Sequence, residues 1–74
     1  MNLEEVNNLW YQSQPIEGIA FGLNDSVRIK SGDLAGQTGS VISVISIEPI
    51  PIYLVELGNN GADVQIKQSE LEAD

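Results

Sequence analysis

Residues 25–45, DSVRIKSGDLAGQTGSVISVI, decide the fold of this 74-residue chain. They begin with strict alternation, in which the apolar Val27 and Ile29 face inward while Arg28 and Lys30 face solvent. This alternation is typical of a β-strand with one buried face. The start of the stretch therefore predicts a strand that contributes Val27 and Ile29 to a core.

Glycines separate this strand from the next one. Gly32 and Gly36 bracket a tight loop, in which a side chain would clash or a positive φ is needed. Gly39 allows the second strand to start close against the first, and Val41 returns that strand to the core. We interpret these positions as a structural motif rather than a binding site. Its residues are Val27, Ile29, Gly32, Gly36, Gly39 and Val41.

The second strand, predicted at 39–47, is long and carries apolar residues on both of its faces. One face holds Val41, Ile45 and Ile47, and the other holds Ile42 and Val44. Such a pattern indicates a bent strand that changes sides. Residues 48–51 follow as a loop, because two prolines cannot donate hydrogen bonds to a central ladder.

Further short strands complete the β region. Residues 52–57 and 64–66 are predicted as strands, joined by a turn at 58–61 that is rich in Gly and Asn. Residues 69–72 are predicted as a tight turn or a single helical turn, in which Leu71 closes the core. Four or five short strands with tight turns favour a small, strongly bent barrel.

Residues 2–13 have a different pattern, which predicts a helix. Asn2 is placed to cap its amino end, and Glu5 resembles the second half of a capping box. Apolar side chains recur at offsets of three, six and seven and so share one face. They are Leu3, Val6, Leu9 and Trp10.

Pro15 and Gly18 end this helix, so residues 14–22 are predicted to be a connector. The connector contains several apolar residues, and we therefore expect it to lie against the rest of the protein. The chain is interpreted as one domain, 1–74, with a barrel at 23–72.

A known motif matches the β region. The match is carried by Asp25-Ser26-Val27-Arg28-Ile29, Gly32, Ala35-Gly36, Gly39 and Val41. This pattern resembles the KOW motif, which begins SH3-like barrels in NusG-type transcription elongation factors and several ribosomal proteins. Tyr53–Leu57 and Ser69–Glu72 look like the closing strands of that barrel, so the resemblance covers roughly residues 22–72. It implies a mainly β fold: an SH3-like five-stranded barrel of KOW type, preceded here by an α-helix.

The charge balance departs from that family. The whole chain has three basic and eleven acidic residues and a net charge of −8. KOW domains that contact ribosomal RNA usually carry many lysines and arginines. The balance therefore argues against direct binding to nucleic acid or to an anionic membrane surface.

The residue types also restrict the chemistry. The chain has no cysteine and no histidine, which removes the thiolate nucleophile, the usual general base and the commonest metal ligands. No acidic run has the spacing of a calcium loop. We therefore expect a protein that is not an enzyme and uses no cofactor or metal.

Three surfaces are candidates for partner binding. Trp10 and Tyr11 are aromatic residues of a type enriched at interfaces, although Trp10 also suits a role in covering one open end of the barrel. The stiff loop Pro49-Ile50-Pro51 would lose little entropy on docking, or is a simple rigid connection. Arg28 and Lys30 would contact an anion, or would balance acidic neighbours. Those neighbours are Asp25, Glu56 or Glu70, and Lys67 joins the pair if the last strand lies nearby.

The leading hypothesis is a small acidic protein-interaction module that binds a protein partner with a basic surface. It would serve as a regulatory or accessory subunit, or as an immunity-type inhibitor. The alternative is a KOW-type module associated with polymerase or the ribosome. SH3-like barrels also occur as small peripheral subunits of photosynthetic electron-transfer complexes, which is a more distant option.

The sequence also gives an expectation for location. The first fifteen residues contain no basic residue of a secretory signal, and no apolar run approaches the roughly 20 residues that span a bilayer. We expect a soluble, cytoplasmic protein.

Overall fold

The computed structural model describes residues 2–74. It contains one helix, α1, and a sheet of five antiparallel strands in the order β4-β3-β2-β1-β5. A single 3-10 turn, Gln68–Glu70, precedes the last strand. The element bounds are α1 Leu3–Tyr11, β1 Ser26–Ile29, β2 Thr38–Ser46, β3 Ile52–Leu57, β4 Asp63–Lys67 and β5 Leu71–Ala73. The mainly β class with an amino-terminal helix is confirmed, and the sheet is open, with β4 and β5 as its edges.

Two bulges bend β2. Its pairing with β3 skips Ile42 and Ile45, so that each of these residues is an extra residue on the β2 side. The predicted bent strand is therefore confirmed, but its faces differ from the prediction. Val41 and Val44 both point into the core, because the bulge at Ile42 shifts the alternation by one residue.

The loop between β1 and β2 needs its glycines. Gly32 and Gly36 have φ values of 87° and 91°, in the left-handed region that favours glycine. The amide of Gly36 donates to the carbonyl of Ile29 at 2.7 Å and returns the chain to the sheet. The prediction of positive φ at both positions is confirmed.

The core lies on one face of the bent sheet and under the helix. Val27 and Ile29 alternate inward as predicted, and Tyr53 is the largest of the fully buried side chains. The complete set of buried apolar residues is Val6, Trp10, Val27, Ile29, Val41, Val44, Tyr53, Val55, Leu57, Ile66 and Leu71.

The carboxyl end of the chain forms a short strand that the residue pattern alone did not predict, although the motif resemblance implied a closing strand at Ser69–Glu72. The predicted helical turn is present but begins at Gln68, and Leu71 then pairs with Ile29 in the register of β5 with β1. Leu71 is buried, as predicted. The residue pattern missed the strand because it is three residues long and only Leu71 gives it an inward apolar side chain.

The helix packs on β2. Its predicted cap is confirmed, since the Asn2 side chain accepts the amide of Glu5 at 2.8 Å. Val6 and Trp10 are buried, whereas Leu3 remains 37 % exposed. No helix within residues 2–74 is long and apolar enough to cross a membrane.

Candidate functional site

A groove of about 490 Å³ lies beside the helix. We call it the acidic groove. Val6 of α1 belongs to its lining, and two further segments supply the rest, one from the connector and one from the loop after β2. The lining residues are Val6, Ile16, Glu17, Gly18, Ile19, Ile47, Glu48, Pro49 and Pro51.

The connector wall of the groove is a small hairpin. Ile16 and Ile19 form an isolated bridge, and the amide of Ile19 donates to the carbonyl of Ile16 at 3.1 Å. Gly18 takes a φ of 84°, which allows the tight turn that projects Glu17. The expectation that the connector lies against the rest of the protein is confirmed, because Ile16, Ile19 and Phe21 pack on the core.

The second wall is the loop that follows β2. The peptide bond between Glu48 and Pro49 is cis. The hydroxyl of Ser46 donates to the carbonyl of Glu48 at 3.1 Å. Pro51 accepts a hydrogen bond of 2.7 Å from the backbone amide of Gln68.

Gln68 forms hydrogen bonds with both walls of the groove. Besides its backbone contact with Pro51, its side-chain nitrogen donates to the carbonyl of Gly18 at 3.1 Å. Its side-chain oxygen accepts the amide of Ala20 at 3.0 Å and also the hydroxyl of Tyr53. One residue therefore holds the connector and the loop at fixed positions, and the acidic groove is preformed.

The charge of the acidic groove has one sign. Among the residues of the described chain 2–74 that line it, Glu17 and Glu48 are the charged ones, and both are exposed. The remaining lining residues are apolar or glycine. Such a surface suits a ligand that combines an apolar group with a positive charge.

A second cavity, of about 300 Å³, adjoins the groove and shares Ile16 and Ile19 with it. Trp10 and Phe21 give it aromatic walls, and Asp25 is its charged lining residue. The Asp25 carboxylate already accepts the amide of Gly22 at 2.7 Å. The two cavities therefore flank one short hairpin.

The predicted aromatic pair separates into one core residue and one surface residue. Trp10 is only 2 % exposed, and its indole nitrogen donates to the carbonyl of Phe21 at 2.6 Å. It acts as a cover for the core and is removed from the surface candidates. Tyr11 is 52 % exposed and packs edge-on against Trp10, but it lines neither cavity.

The predicted cationic pair lies elsewhere on the surface. Arg28 and Lys30 are exposed, as the alternation predicts, and neither lines either of these two cavities. Arg28 lies 3.6 Å from Asp74, which is not one of the acids expected to balance it. Lys67 belongs to β4, which pairs with β3 rather than with β1, so strand pairing does not bring it to the other two cations.

The predicted proline loop does contribute to the site. Pro49 and Pro51 line the acidic groove, whereas Ile50, 39 % exposed, lies outside the lining. The sequence interpretation missed Glu17, Ile16, Ile19 and Val6 as groove residues. The apolar pair three positions apart in the connector, with glycine between them, was the signal available for this wall.

Burial changes the pKa of the Tyr53 hydroxyl. Desolvation is the main reason that its pKa is raised above the ordinary value of 10.0, and the charge of Asp25 acts in the same direction. Backbone hydrogen bonds with Phe21 and Ala20 oppose the shift. The buried ring also packs edge-on against Phe21, with 5.7 Å between ring centroids.

This titration predicts a loss of stability in alkali. A raised pKa in the folded protein means that the native state retains the proton longer, so the free energy of unfolding falls as pH rises above 10.0. Urea unfolding at a series of pH values measures this slope. The variant Tyr53→Phe is the control and is expected to have a flatter slope there. Equal slopes for both proteins would contradict the assignment to Tyr53.

The chain was compared with protein-family models and with curated proteins, and neither comparison finds a match. Within residues 2–74, the acidic side chains do not gather in groups of three or more that could hold a metal ion. The geometry of the acidic groove therefore carries the functional conclusion.

Proposed function

We propose that this protein is a non-enzymatic interaction module that binds a protein partner with a basic surface through the acidic groove. It would act as an accessory or regulatory subunit, or as an inhibitor that masks the basic surface. The observation that carries the proposal is the groove itself, a preformed apolar concavity with Glu17 and Glu48 as its charged residues.

The energetics favour binding of a cationic partner. The net charge of −8 steers a basic protein toward the module and raises its association rate. Because Gln68 already fixes both walls, little ordering entropy is lost when the groove is filled. The exposed Ile50 lies next to the groove prolines in the chain and extends the apolar contact area.

We further propose that the fold is an SH3-like barrel of KOW type with an open edge. Two features support this proposal. The chain ends by pairing β5 with β1, and β2 is bent by two bulges so that it serves both halves of the sheet. The left-handed Gly32 and Gly36 also agree with the loop that the motif requires.

The motif resemblance, with which these glycines agree, suggests a second candidate function, a KOW-type module associated with the transcription or translation machinery. In that case the partner is a polymerase or ribosomal protein, and contact with RNA is incidental. We expect the logarithm of the binding constant to vary little with the logarithm of salt concentration in any RNA titration. A steep negative slope would instead show extensive phosphate contact.

Two charge-matched variants test the proposed function. The groove variant carries Glu17→Gln and Glu48→Gln, and the control carries Glu56→Gln and Glu72→Gln, which are exposed acids outside both cavities. A partner captured from the source cells and then purified is expected to bind the groove variant about tenfold more weakly, and the control with little change. Equal affinity for both variants would remove the acidic groove as the binding site.

A further inference from the structure

We infer that the occupant of the acidic groove is a short extended segment of the partner, with apolar side chains that enter both cavities and a lysine or arginine that reaches Glu17. This inference rests on the proposed function and specifies the kind of surface that the partner presents. It follows from the arrangement of the two cavities, the hydrogen bonding of the backbone around them and the charge of their lining residues.

The two cavities are contiguous along one hairpin. They share Ile16 and Ile19, and Glu17 lies on the turn between these residues. In an extended chain, side chains on one face repeat roughly every 7 Å. Side chains on one face of an extended segment are therefore suited to entering two cavities that share a wall.

The volumes of the two cavities suit a segment of a few residues. The groove measures about 490 Å³ and the adjoining cavity about 300 Å³. Clefts of ~300–1,000 Å³ hold ligands of drug-like size, comparable to a few residues. The apolar walls at Ile47 and Pro49 select apolar side chains for the groove, and Phe21 gives the adjoining cavity an aromatic wall.

The backbone of the walls is poorly suited to pairing with an added strand. The carbonyls of Ile16, Gly18 and Pro51 already accept hydrogen bonds within the protein. Pro49 and Pro51 have no amide hydrogen to donate. These positions favour recognition through side chains over main-chain hydrogen bonds.

Charge complementarity specifies the polar part of that segment. Glu17 and Glu48 are exposed, and neither carboxylate accepts a hydrogen bond or forms an ion pair within residues 2–74. A lysine or arginine beside an apolar anchor supplies the missing cation. An acidic segment is repelled by the same pair of carboxylates.

Three short synthetic peptides test the inference on the intact chain. One carries two leucines, separated by one residue and flanked by lysines. The second replaces both leucines by serine and keeps the charge. The third replaces the lysines by glutamate and keeps the leucines. Binding is followed by shifts of the backbone amide resonances of the protein in NMR titrations.

The leucine–lysine peptide is expected to shift the amides of Ile19, Phe21 and Ile47. The serine–lysine peptide should bind at least about tenfold more weakly, because each buried leucine contributes apolar area. The leucine–glutamate peptide should also bind more weakly. The groove variant should lose affinity for the leucine–lysine peptide, while the charge-matched control keeps it.

Several results would overturn the inference. Equal binding of the serine–lysine and leucine–lysine peptides would show a contact made by charge alone. The same loss of affinity in the groove variant and its control would show that the contact lies elsewhere. If no peptide binds, while the affinity of a purified protein partner still depends on Glu17 and Glu48, the inference of an extended segment is wrong but the proposed function stands. If that partner binds the groove variant as tightly as the unmodified protein, the proposed function itself is wrong.

Discussion

Replacing Trp10 by alanine is expected to lower the free energy of unfolding by about 3–5 kcal/mol, the usual cost of truncating a buried aromatic residue. The side chain is 2 % exposed and joins the helix to the core. A chain of this length has a total stability of only ~4–11 kcal/mol. The loss is therefore a large fraction of the total stability, and at the lower end of that range it leaves the variant unfolded.

Urea unfolding measures this loss. Circular dichroism is the suitable probe, because Trp10 is the only tryptophan and the variant therefore has no indole fluorescence. Trp10→Phe separates the two contributions of the side chain. It keeps an apolar ring but removes the hydrogen bond to the carbonyl of Phe21, and should cost about 1–3 kcal/mol.

The adjacent Tyr11→Ala variant is the matched control. Tyr11 is 52 % exposed, and its loss removes mainly the edge contact with Trp10, so we expect a cost of about 1 kcal/mol or less. A Tyr11 variant as unstable as the Trp10 variant would contradict the orientation of the helix described above.

The sequence predicted those elements whose signals are local. Alternation placed Val27 and Ile29 in the core, and the Asn2 cap marked the start of the helix. Each of these signals depends on residues a few positions apart. The β5 strand has no comparable local signal and was indicated only by the motif resemblance, because its position depends on pairing between Leu71 and Ile29, which are distant in the sequence.

The candidate site was predicted only in part, for the same reason. Pro49 and Pro51 were recognised from their own chemistry, and both line the acidic groove. The opposite wall depends on Gln68. Its side chain forms hydrogen bonds with Ala20 and Gly18, which precede it in the chain by 48 and 50 positions. A glutamine in a polar segment gives no indication of such a role, so the meeting of Glu17 with Glu48 was not foreseen.

Gly39 shows that a correct local prediction can have the wrong physical cause. From the sequence, glycine is expected there so that β2 can start close against β1. In the structure Gly39 is paired with Val27 of β1 and with Leu57 of β3, and the close approach is on the β3 side. A β-carbon added at Gly39 would overlap the carbonyl oxygen of Glu56 and would lie 3.0 Å from a methyl group of Val55.

Gly39→Ala is therefore expected to destabilise the protein by about 2–4 kcal/mol, measured by urea unfolding. The obstacle is backbone within the sheet, which cannot rotate away as a flexible side chain can, and overpacking of this kind costs about 1–3 kcal/mol or more. Gly58→Ala is the control at the same end of the strand pair, one residue beyond Leu57, the β3 partner of Gly39. A β-carbon there would meet the carbonyl of Thr38 at 3.5 Å, an ordinary contact, so stability should change by about 0.5 kcal/mol or less. If Gly39→Ala is as stable as Gly58→Ala, then β2 and β3 do not approach as closely at this position as the structure shows, and the start of β2 must be placed differently.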